Sequence, residues 1–112
     1  MRVSDVLQIG KPYKTYVIAG EEGLHRKVTS IEVMEVPDLD KWITEGAFFI
    51  TTFHSVKDNI DAQIKVMEAL INKKAAGIMV KLGRFIEALP AQFIYLANEN
   101  NVPIIILPKE VS

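Results

Sequence analysis

Residues 77–107 read GIMVKLGRFIEALPAQFIYLANENNVPIIIL, and this stretch decides the fold. Two apolar runs of strand length, 77–82 and 104–107, bracket a segment in which Phe93, Ile94, Leu96 and Ala97 recur at helical spacing. An apolar run without alternation is what a strand becomes when helices cover both faces of a parallel sheet. Pro90 suits the first helical turn, where its missing N–H has no partner to lose. Asn100 and Asn101 suit the end, because Asn tolerates the left-handed conformation. The stretch therefore predicts strand, helix, strand.

Working backwards, Ala47–Thr52 is a further buried strand. Asp58 or Asn59 caps a helix reaching about Lys74, with Ile60, Ile64, Met67, Leu70 and Ile71 inward and Asp61, Lys65, Glu68 and Asn72 on the wet face. The whole is a βαβαβ unit from Ala47 to Leu107, with parallel strands and right-handed crossovers. Ile64, Met67, Ile71, Ile78, Val80, Ile105 and Leu107 are the expected core. Ahead of it, Ser4 caps a short helix through Gln8, closed by Gly10-Lys11-Pro12. Thr15–Ala19 and Ser30–Val36 read as strands, separated by the turn Gly20-Glu21-Glu22-Gly23. Pro37 stops the second strand, and Asp38 caps a short helix holding Leu39, Trp42 and Ile43. These amino-terminal strands either extend the parallel sheet or form a small sheet beside it. The fold class is α/β, in one domain over residues 1–112.

Composition narrows the function. Thirteen Lys and Arg against fourteen Asp and Glu leave a net charge of -1, without the positive excess that duplex binding draws on. Lys73-Lys74 falls at a helix end, where cations suit the dipole. There is no cysteine, so disulfides and thiolate metal sites are excluded. No apolar run approaches the roughly 20 residues of a membrane helix, and the start lacks a signal peptide's apolar core. The expectation is a cytoplasmic domain with no membrane partner.

In open parallel sheets, ligands bind beyond the carboxyl ends of the strands. Three segments fall there: Thr51-Thr52-Phe53-His54-Ser55, Lys81-Leu82-Gly83-Arg84 and Pro108-Lys109-Glu110. Thr51, Thr52, His54, Ser55, Lys81 and Arg84 are the ligand-binding candidates, and their donors suit a small anionic or amide-rich molecule. His54 and His25 share no short motif, so no metal site is expected. Glu35 and Asp38 form a carboxylate pair, but Asp38 is accounted for as a cap. The glycines at 20 and 23 match neither a phosphate loop nor a dinucleotide fingerprint. No nucleophile–base arrangement is legible, so no catalytic residue, cofactor or enzyme activity is expected.

Four ordered segments resemble a known family. Ala19–Val28 (AGEEGLHRKV) is similar to an A-G-x-x-G-L-x-R-x-V segment, and 31–38 (IEVMEVPD) to V-x-V-x-E-x-P-D. Trp42–Thr52 (WITEGAFFITT) is similar to W-L-x-x-G-E-L-x-L-T-T, and 102–108 (VPIIILP) to an x-P-I-I-x-L-P close. Together they resemble the amino-terminal domain of the purine catabolism regulator (PucR) family of bacterial transcription regulators. Two positions depart from the pattern: Phe53 stands where the family often has Gly, and Ala47 where it often has Glu. The resemblance implies a longer parent that meets DNA through a carboxyl-terminal helix-turn-helix domain outside these 112 residues. It also implies that this domain carries regulatory input, by sensing a metabolite of purine or related nitrogen catabolism or by oligomerising.

The alternatives are a pure dimerisation module and a substrate-binding subdomain of a small enzyme. Because paired half-sites call for two-fold regulators, a homodimer is expected. Trp42 and Phe53, at element ends, are its candidate interface residues.

Overall fold

The computed structural model describes residues 1–33, 35, 39–83 and 86–109. Expectations at Met34, Val36, Pro37, Asp38, Arg84 and Glu110 lie outside the described residues. Strands β1 (Tyr16–Ala19), β2 (Ser30–Val33), β3 (Ala47–Thr51), β4 (Gly77–Lys81) and β5 (Ile104–Leu107) form one sheet in the order β1-β5-β4-β3-β2. Pairs β2·β3, β3·β4 and β4·β5 are parallel, as the βαβαβ reading requires. The amino-terminal strands extend this sheet at its two edges: β2 joins parallel to β3, and β1 joins antiparallel to β5.

Helices α3 (Ile60–Asn72) and α4 (Ala91–Asn100) pack on one face, over Phe49, Ile78, Val80, Ile104 and Ile106. Asn59 caps α3 by accepting the Ala62 N–H at 3.0 Å. Asn101 closes α4 in the left-handed conformation, at φ 54. The buried stripe of α3 is Gln63, Val66, Met67 and Leu70, which keeps Met67 and Leu70 of the expected set and rotates away from Ile60, Ile64 and Ile71. Ile60 is 60% exposed. Gln63 takes the inward place because its side-chain amide donates to the Val56 carbonyl at 2.8 Å, tying the helix to the preceding turn.

Helix α1 (Val3–Ile9) covers the opposite face at its amino-terminal end, with Val3 and Val6 against Phe48, Ala76, Met79 and Ile105. Its N-cap is Arg2 rather than Ser4: the Arg2 N–H donates to Asp5 Oδ2 at 2.7 Å. Ser4 falls inside the helix. The short helix α2 (Leu39–Trp42) precedes β3.

The glycine turn after β1 is a packing device. Gly20 has φ 69, and a Cβ there would overlap the Val102 carbonyl; one on Gly23 would overlap that of Asn101. The Gly20 N–H donates to Asn98 Oδ1 at 2.8 Å. Beside it, Arg26 donates to the Asn100 carbonyl at 2.9 Å and the Ala75 carbonyl at 3.2 Å. The first motif of the sequence thus clamps the 97–103 connection to the sheet.

Candidate functional site

The carboxyl end of β3 turns sharply through Phe53, which is left-handed at φ 60 and ψ 22. Backbone N–H groups on either side of such a residue form a concavity that receives an anion. Here it holds a carboxylate of the chain itself. Thr51 Oγ1 donates to Glu35 Oε1 at 3.1 Å, and the His54 N–H donates to the same oxygen at 3.1 Å. Glu35 Oε2 accepts the Thr52 hydroxyl at 2.7 Å and the Thr52 N–H at 3.0 Å. Burial alone raises the pKa of this carboxyl, but the bonds from Thr52, Thr51 and His54 outweigh it and hold it below its ordinary value. The Phe53 N–H completes the turn by donating to Thr51 Oγ1 at 3.1 Å.

The second feature is on the other sheet face. Beyond the end of α1, the carboxyl half of the sheet is uncovered and forms a cleft of about 640 Å³. Ile31, Ile50, Met79 and Leu107 make its floor. Ile9, Gly10, Tyr13 and Thr15 make one wall. Lys14, Lys81 and Lys109 also line it, and no Asp or Glu is among its described lining residues. A smaller hollow of about 450 Å³ at the opposite end of the sheet mixes Arg26, Lys27 and Lys74 with Glu45. Among the described residues, no group of acidic or imidazole side chains could hold a metal ion. Nor is any described helix long and apolar enough to cross a membrane.

The expected crevice is therefore two places. Thr51, Thr52 and the His54 backbone meet at Glu35, whereas Lys81 points to the cleft on the opposite face, as strand alternation dictates. Ser55 is exposed in the short 3₁₀ turn His54–Val56. Arg84 lies outside the described residues. Trp42 is 63% exposed, as an interface candidate requires.

Phe53 is not available for an interface: it is fully buried, and its ring meets Phe93. The left-handed backbone turns its side chain under the helices rather than out from the strand end. The positive φ accounts for the glycine of the family pattern at this position, and here ring burial against Phe93 offsets its cost to Phe53. The sequence reading missed Lys14 and Tyr13. They reach the cleft because β1 runs antiparallel to β5, which sets the turn before Tyr16 beside Ile106 at the carboxyl end of the sheet. The only sequence signal was the strand assignment itself, without its direction.

Known proteins share this architecture and sequence. A structure of the CBS and DRTGG domains of the regulatory region of Clostridium perfringens pyrophosphatase, determined with the activator diadenosine tetraphosphate, superposes with a TM-score of 0.59. The match covers 96% of this chain and 46% of that one at 21% identity, a likeness of fold. The purine catabolism regulatory protein of Bacillus subtilis (strain 168) is 28% identical over 111 residues. That alignment takes in 99% of this chain and 21% of the relative's length. The model of the Purine catabolism regulatory protein-like family, PucR, matches residues 5–112, and on that match the chain belongs to this family.

Proposed function

We propose that this chain is the regulatory input domain of a longer regulator of purine or related nitrogen catabolism, and that its input is a small molecule seated in the cleft on the α1 face. The observation that carries this reading is the cleft itself. Its volume of about 640 Å³ falls within the range of small-molecule sites. It lies at the carboxyl end of a parallel sheet, where such sites concentrate. Its floor is apolar and it opens to solvent. The threonines at the end of β3 are engaged with Glu35 and fix that edge of the sheet. The pyrophosphatase regulatory region binds a nucleotide activator, which is compatible with an input role for this architecture. With a net charge of -1, contact with DNA is assigned to another part of the parent protein.

The test is a thermal-shift screen over purine-breakdown intermediates, ureides, amino acids and phosphates. A molecule that binds only the folded chain adds about 2.7 kcal/mol of stability at a hundredfold excess over its Kd. A rise in Tm is expected for the native chain and not for Ile50→Trp, whose indole fills the floor. No rise from any compound, or an equal rise in the variant, sinks the ligand reading. A dimerisation module without a ligand is the second reading, favoured by the exposure of Val33 on edge strand β2, which is 78%.

A further inference from the structure

Three lysines from parts of the chain that are far apart in sequence line the apolar cleft. Lys14 follows the 3₁₀ turn Lys11–Tyr13, Lys81 ends β4, and Lys109 lies just past β5. Their backbones are fixed. Lys14 sits in the left-handed region at φ 63, where a side chain larger than glycine is uncommon, and its N–H donates to the Lys11 carbonyl at 2.9 Å. Gly10, on the same wall, has no room for a Cβ because the Thr15 side chain fills that space, and the Thr15 hydroxyl donates to the Leu7 carbonyl at 3.2 Å. Lys81 is paired through its backbone with Leu107 and is half-buried. The stem of Lys109 lies across Gly83, at φ 107, where an added Cβ would come within 2.6 Å of Lys109 Cβ. The wall and the cationic rim are thus built into the turns around the cleft.

Gathering like charges around an apolar floor with no acidic residue in the described lining does nothing for stability. Each pair repels, and the repulsion is stronger beside an apolar surface than in open water. The arrangement complements an anion instead. Phosphate or sulfate alone would leave the floor of Ile31, Ile50, Met79 and Leu107 wet. A neutral apolar molecule would leave the lysines unmatched.

We infer that the cleft takes an organic anion with an apolar body: the body on the Ile50–Met79 floor, the carboxylate, sulfonate or phosphate group among Lys14, Lys81 and Lys109. This inference rests on the reading of the cleft as a ligand site and names the ligand class.

Two fluorescent probes of similar size, one anionic and one neutral, separate the two statements. 8-Anilinonaphthalene-1-sulfonate has an apolar body and an anionic group; N-phenyl-1-naphthylamine has nearly the same body and no charge. The folded chain is expected to bind the sulfonate more tightly, and only the sulfonate should weaken as salt rises from roughly 0.05 to 0.5 M. Lys14→Met, Lys81→Met and Lys109→Met should each weaken the sulfonate by about two- to fivefold, the size of a solvent-accessible charge contact, and leave the neutral probe unchanged. Ile50→Trp should abolish both. Equal affinity for the two probes, without salt dependence, overturns the anion assignment and leaves the cleft standing as a ligand site. Failure of both probes overturns the underlying reading. Loss of sulfonate binding as the protein is concentrated into a dimer, followed by sedimentation, gives the cleft to a second copy and overturns both.

Discussion

The ring of Phe53 meets the ring of Phe93 edge to face, with centroids 5.7 Å apart and planes at 89°, although the Phe53 backbone is left-handed. Two opposing terms meet at this residue. Ring burial and the aromatic contact stabilise it, and the positive φ costs roughly 1–2 kcal/mol for a residue with a Cβ. Phe53→Ala should lose about 3–5 kcal/mol. Phe53→Gly should be more stable than Phe53→Ala by about 1 kcal/mol, the reverse of the usual order, because only Gly relieves the backbone. Urea midpoints of the three chains check this, and a Gly variant weaker than the Ala variant contradicts it.

Glu35→Gln removes the charge held by Thr51, Thr52 and His54. The side chain is solvent-accessible, so the expected loss at pH 7 is modest, about 1 kcal/mol. Its pH dependence is the sharper signature. Folding lowers the pKa of Glu35, so the unfolded chain binds the proton more readily and stability rises with pH. The contribution is complete above the unfolded value, about 4.3, and is lost as the pH falls through the lower folded value. The native chain and the variant should therefore differ most near pH 7 and converge as the pH falls below the folded value. A difference in denaturation midpoint that stays constant from pH 7 to pH 3 shows that the charge is immaterial.

Gly20→Ala places a Cβ on the Val102 carbonyl at a left-handed position. The expected cost is about 3 kcal/mol or more, since strain and overlap act together. Asn98→Ala, which deletes only the acceptor of the Gly20 N–H, should cost about 1 kcal/mol. Thermal unfolding distinguishes the two; equal effects would mean that the hydrogen bond, not the close approach, governs this turn.

The phase of α3 separates Met67 from Ile60. Met67→Ala should lose about 2–5 kcal/mol, as for a fully buried side chain, and Ile60→Ala no more than about 0.5. Similar losses at the two positions would place the inward stripe where the apolar spacing alone puts it.

Trp42 is the remaining candidate from the sequence for a subunit contact. The expected outcome is a weak homodimer at tens of micromolar, seen by sedimentation equilibrium and weakened by Trp42→Ser without loss of monomer stability. A monomer throughout that range removes the dimer, and a dimer indifferent to the substitution places its contact elsewhere, with Val33 on β2 the next residue to change.

Local pattern was enough for the parallel core. Runs such as Ile104–Leu107 are apolar at every position because one face packs under α3 and α4 and the other lies under α1 or floors the cleft, and the segments between them carry helical spacing, so their order alone gives βαβαβ. Cap chemistry at Asn59 and Asn101 was equally local, depending on the backbone within a few residues. Helix phase was not: Gln63 faces inward because the Val56 carbonyl waits there, a contact that composition cannot show.

The site was divided in the same way. That Thr51, Thr52 and Lys81 gather near the carboxyl edge follows from strand ends in sequence. Which face each serves follows from pleat and register, and the carboxylate that meets the threonines comes from Glu35, sixteen residues before Thr51. The direction of β1 is settled by pairing with β5, and that pairing carries Lys14 to the cleft that Lys81 and Lys109 also line. The sequence by itself determined the elements and their order, because these depend on period and local backbone preference. Only the tertiary structure decided the Glu35 grip and the cationic cleft, because both are made by residues whose proximity depends on edge-strand pairing.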